Sequence, residues 1–143
     1  MRLLNTKTLE LSDFIGDEIP PYTILSHTWG EDEVTFQDLQ AGTAEYRKGY
    51  AKVTGTCAQS LKDGFEFTWI DTLCIDKTSS AELQEAINSM FDWYQYAVIC
   101  YVHLADVVDE LAGWGEEFGK SRWWTRGWTL RMMTVFLYCE DMC

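Results

Sequence analysis

The chain has 143 residues, of which 47% are hydrophobic and two are proline, and a formal net charge of −12 from 23 acidic against 11 basic residues. That length and composition suit a single domain over residues 1–143 with a sizeable core and no disordered linker. A net negative field repels phosphate backbones, which excludes nucleic acid as a partner; with no signal-like opening and no apolar run near the ~20 residues that span a bilayer, the chain reads as soluble, cytoplasmic and without a membrane span.

Five cysteines occur, with no Cys-x-x-Cys and no histidine near the close pair Cys139 and Cys143. The expectation is a reduced protein with no disulfide framework and no metal site.

After an opening segment that ends at Pro20 and Pro21, residues 22–27 (YTILSH) read as a β-strand closed by Trp29 and Gly30. Tyr46, Tyr50, Val53, Cys57 and Leu61 then follow at helical spacing, with Gly64 placed to end that helix. Residues 65–71 (FEFTWID) return to strand chemistry. Ser79 and Glu82 form a capping-box pattern ahead of a helix striped by Leu83, Ile87, Met90, Phe91 and Tyr94. The nearly unbroken apolar run 97–105 suits a strand covered on both faces, which predicts a parallel sheet. A loop over residues 106–119 and a last strand over residues 134–139 complete the reading. The alternation predicts an α/β fold, a small doubly wound parallel sheet flanked by helices.

In such sheets, ligands bind outside the carboxyl ends of the strands. The first strand delivers Ser26, His27, Trp29 and Gly30 to that edge; the second delivers Asp71, Cys74 and Asp76; the third delivers His103 and Asp106. Each has a plainer reading beside the ligand-binding one. His27 suits a carbonyl contact, Asp71 and Asp76 suit loop caps, Cys74 suits core packing, and Trp123, Trp124 and Trp128 suit packing rather than stacking. Glu31 to Glu33 read as a solvated charge cluster.

Together, YTILSHTWG, FTWIDTLCIDK, SSAELQEAINSMFDWY and SRWWTRGWTL resemble the heterokaryon-incompatibility (HET) domain of filamentous fungi, in order and spacing from about Arg2 to Leu130. The resemblance implies a cytosolic module of self/non-self recognition that triggers programmed cell death. It also implies self-association and signalling from a nucleotide-binding oligomerising receptor. HET domains resemble TIR domains, which share a flavodoxin-like parallel sheet and in several branches cleave NAD. That kinship implies NAD as substrate or ligand, with no covalently bound cofactor, in a pocket formed by Ser26, His27, Trp29, Gly30, Asp71, Cys74, Asp76 and Trp128, where His27 and Asp71 would serve the chemistry.

The family usually carries Gln-Glu-Leu after the tryptophan motif, and its glutamate is the TIR-like catalytic residue. Here Trp128 is followed by Thr129, Leu130, Arg131, Met132 and Met133, so Met132 stands in the glutamate's place. A thioether cannot ionise, and a mechanism resting on that carboxylate would be weakened or lost. Two alternatives stay open: an NAD hydrolase using another carboxylate, and a non-enzymatic interaction module whose contact is Trp123, Trp124 and Arg126, residue types enriched at interfaces.

Overall fold

The computed structural model describes residues 1–107 and 116–125. Five strands, β1 (Arg2–Asn5), β2 (Leu11–Asp13), β3 (Thr23–His27), β4 (Phe67–Trp69) and β5 (Ile99–His103), form one sheet in the order β2-β1-β4-β3-β5. β3 runs parallel to β4 on one side and to β5 on the other. This is the expected α/β fold with a parallel sheet at its centre, and β1 adds an antiparallel part to the sheet by pairing with both β2 and β4. The opening segment is thus a hairpin. Asn5 builds its turn by accepting the Lys7 and Thr8 amides on Oδ1, and Leu9 takes a positive φ of 57°.

The helices are α1 (Phe36–Gln40), α2 (Tyr50–Lys62), α3 (Asp71–Cys74), α4 (Ser80–Tyr96) and α5 (Glu116–Lys120). α2 ends where expected, with Gly64 at φ 88°. α4 begins at the Ser79 cap, whose hydroxyl accepts the Glu82 amide. The reciprocal half of the expected capping box is replaced: the Glu82 carboxylate accepts the Asp76 amide at 2.7 Å and Arg2 at 2.8 Å, tying the helix to β1. Of the expected α4 stripe, Ile87 and Phe91 are 47% and 46% exposed, while Leu83, Met90 and Tyr94 pack on the core.

Side-chain alternation along the strands assigns the faces. Thr23 bonds Ser60 of α2 and Thr68 of β4, so α2 covers that face. Trp69 points the other way and meets Trp93 and Tyr94 of α4. β3, covered on both sides, is buried at all five positions, and Leu3, Leu4, Ile24, Trp69, Ile70 and Leu73 are fully inaccessible at the centre of the core. Leaving these groups in water instead would cost about 1.5–3 kcal/mol for each large side chain, which is the main force holding the layers together. β5 is buried on both faces at Cys100, Tyr101 and Val102, although among the described residues it pairs only with β3. Residues 116–119 of the expected loop belong to the short helix α5, and the expected strand at 134–139 lies outside the described residues. No helix among the described residues is long and apolar enough to cross a membrane.

Candidate functional site

The chain leaves β3 toward β4 on one side, then crosses back to lay β5 on the other. Outside the carboxyl ends of strands so ordered, successive loops diverge and leave a crevice. Three loops meet there in this protein. The loop after β3 brings Trp29, Gly30 and Glu33, α3 begins with Asp71 directly after β4, and β5 ends at His103.

His27 and His103 are register partners on β3 and β5, so both imidazoles lie on the α2 face. His27 is 4% exposed, with its Nε2 3.6 Å from Asp71 Oδ1 and 4.0 Å from Glu33 Oε2. Glu33 is held by Lys52 of α2, whose Nζ lies 2.6 Å from each carboxylate oxygen, and by the Gly30 amide at 2.6 Å. The loop sits on the start of α2 so closely that a Cβ on Gly49 would lie 3.1 Å from Glu33 Oε2 and 3.2 Å from the Asp32 carbonyl. Asp32 reinforces the seat by accepting the Lys48 amide and Arg47.

Burial pushes the Glu33 carboxyl up, but the Gly30 amide, Lys52 and His27 together outweigh it and hold it below its ordinary value. Burial pushes the His103 imidazole below its ordinary value; Lys52 acts the same way and Glu33 opposes. The arrangement therefore keeps a carboxylate ionised out of water beside two imidazoles. Such a group can orient a histidine and stabilise positive charge on it or on a ligand.

On the outer rim, Trp29 donates its indole N–H to Asp71 Oδ2 at 2.8 Å, and Lys77 lies 3.8 Å from the same oxygen with its Nζ 3.5 Å above the indole ring. His27, Trp29, Gly30 and Asp71 thus lie together at this edge of the sheet.

The family model described as heterokaryon incompatibility protein (HET) matches residues 22–113, a span that begins at β3 and carries these residues. The chain belongs to the HET family. Vegetative incompatibility protein HET-E-1 of Podospora anserina is 50% identical over 127 aligned residues, which cover 83% of this chain and 9% of that protein. This HET chain therefore spans a small part of that relative's length. No solved structure matches it.

Other residues of the HET sequence motifs do different work. Ser26 points to the opposite face from its neighbour His27, as alternation requires, and accepts the indole N–H of Trp123 at 3.0 Å. Trp123 is 3% exposed and packs with Val102 and Leu104, in line with the packing reading of that residue and against the alternative that made it part of an interface. Trp124 is half-buried against Phe118. Cys74 belongs to the core, not the crevice; burial pushes its thiol up to about 12, and its sulfur accepts the Ile70 amide. Asp76 caps the turn before α4 by accepting the Thr78 amide and hydroxyl, and it accepts Gln37 besides. Asp106 accepts the Ser121 hydroxyl and the Arg122 amide, which fastens the 3-10 turn Arg122–Thr125 to the end of β5. Trp128, Met132 and Arg126 lie outside the described residues. No group of three or more histidine, cysteine or acidic side chains suited to a metal occurs among the described residues.

Sequence reasoning missed Lys52 and Lys77 and assigned Glu33 to solvent, whereas the Glu33 side chain is only 13% exposed. Nothing local marks Glu33 apart from Glu31 and Asp32. Its burial follows from the close seat at Gly49 and from Lys52, which joins the loop from across about 20 residues of chain.

Proposed function

We propose that this chain is a HET-type signalling domain for self/non-self recognition and programmed cell death, acting in the cytosol, and that the crevice at the ends of β3, β4 and β5 is its nucleotide pocket, with NAD as ligand. The observation that supports this most is the convergence of His27, Glu33 and Asp71 beside Trp29 at the point where the strand order reverses. An aromatic platform beside two carboxyl groups, that of Glu33 held below its ordinary value, suits a ligand that carries a planar ring and develops positive charge on a sugar. Asp71 would face that charge, and His27 would stand between the Asp71 and Glu33 carboxylates. Met132 supplies no carboxylate, so binding persists while hydrolysis is weakened. Self-association and signalling from a nucleotide-binding oligomerising receptor belong to the same reading.

Calorimetric titration with NAD, paired with chromatographic measurement of nicotinamide release, tests it. The expected result is saturable NAD binding that His27→Ala and Asp71→Asn weaken, with little release by the natural sequence and a rise of tenfold or more in Met132→Glu. No NAD binding, together with an inert Met132→Glu variant, would overturn the pocket and leave assembly as the mode of action.

A further inference from the structure

The placement of Lys77 carries information about what the rim recognises. Its ammonium group lies 3.5 Å above the centre of the Trp29 indole and 3.8 Å from Asp71 Oδ2. That same oxygen receives the Trp29 indole N–H at 2.8 Å, so ring and carboxylate form one fixed corner. Trp29 is 47% exposed as a residue, while the Lys77 side chain is 31% exposed and that of Asp71 18%.

A tryptophan face backed by a carboxylate attracts cations through the ring quadrupole and the formal charge together. A lysine head is strongly hydrated and carried on a flexible stem, so it leaves such a corner readily. A planar, weakly hydrated cation covers the indole face better and loses less hydration on arrival.

We propose that Trp29 and Asp71 form a cage for a planar organic cation of the N-substituted pyridinium class, and that Lys77 occupies the cage as a built-in competitor the ligand displaces. The inference deepens the nucleotide-pocket reading and rests on it for the biological ligand, because an oxidised nicotinamide dinucleotide presents that cation. Lys77 then sets a threshold: the cage responds to the charged ring and discriminates against its neutral counterpart.

The test uses 1-methylnicotinamide and neutral nicotinamide as probes of the 143-residue chain, followed by calorimetry and by the indole N–H resonance of Trp29. The cation is expected to bind at least tenfold more tightly than nicotinamide. Lys77→Met should tighten the cation threefold or more and change nicotinamide less than twofold, Lys77→Arg, which puts a planar and weakly hydrated competitor over the ring, should weaken the cation, and Trp29→Leu should abolish the difference. A gain of affinity in Lys77→Met cannot arise from misfolding. Equal binding of the two probes, no binding of either, or an unchanged or weaker cation affinity in Lys77→Met would each overturn the cage. NAD binding that ignores both Lys77→Met and competing 1-methylnicotinamide would overturn the cage while the nucleotide pocket stands. Cation binding at Trp29 without NAD binding would keep the cage and remove the nucleotide pocket.

Discussion

Replacing Lys52 with methionine keeps the length of the side chain and removes its charge, which isolates one interaction of the crevice. Lys52 and Glu33 have side chains 9% and 13% exposed, and the ammonium group touches both carboxylate oxygens at 2.6 Å. Removing one partner of a buried pair leaves the other charge uncompensated, at a cost of about 3–5 kcal/mol. For a chain near this size each kcal/mol moves the melting temperature by about 2–4 °C, so Lys52→Met should lower Tm by roughly 6–20 °C. Adding Glu33→Gln removes the stranded charge while keeping an acceptor for the Gly30 amide, and should recover at least half of the loss. The pH dependence has a definite sign. The Glu33 carboxyl is held below its ordinary value in the folded chain, so its stabilisation is complete above the unfolded value of about 4.3 and fades as pH falls through the lower folded value. In Lys52→Met the stranded carboxylate gains most from protonation, and the gap to the natural chain should narrow below about pH 4. Urea unfolding followed by circular dichroism, at several pH values, measures all of this. A loss under about 1 kcal/mol, or a double variant no more stable than the single one, would show that Glu33 is solvated and refute the buried-pair argument.

Gly49→Ala should destabilise the chain by about 1–3 kcal/mol, because the new methyl meets backbone atoms of Asp32 and Glu33 at 3.2 Å and forces the loop outward; urea midpoints check the loss, and a neutral result would show that the loop yields freely. His103, whose folded imidazole lies below its ordinary value, makes the unfolded chain the stronger proton binder, so its contribution to stability declines as pH falls below about 6.5. His103→Gln should flatten that decline between pH 7 and pH 5 in the same unfolding series, and an unchanged slope would assign the decline to other groups.

The elements legible in the sequence are those whose signals are local. A β-prone run closed by Trp29 and Gly30 marks β3, the Ser79 cap marks the start of α4, Gly64 marks the end of α2, and the apolar run 97–105 marks β5. The hairpin of β1 and β2 was not legible, because four- and three-residue strands carry too few residues for a period to show. Its place beside β4 depends instead on Leu3 and Leu4 finding the core. Ile87 and Phe91 fit the helical period of α4 and still face outward, since periodicity identifies an apolar stripe without saying how wide a surface awaits it.

The sequence by itself determined that residues of chemical interest follow the ends of β3, β4 and β5, because turn chemistry and strand length are set by neighbours along the chain. It also carried the family, through motifs whose order needs no coordinates. Only the tertiary structure decided which of those residues meet. Ser26 and His27 are adjacent in sequence yet serve opposite faces of the sheet, Trp123 turns inward to reach Ser26, and Glu33 is sealed against α2 by Lys52. Each outcome follows from packing between segments distant in sequence, where burial changes the cost of a charge far more than any neighbouring residue does.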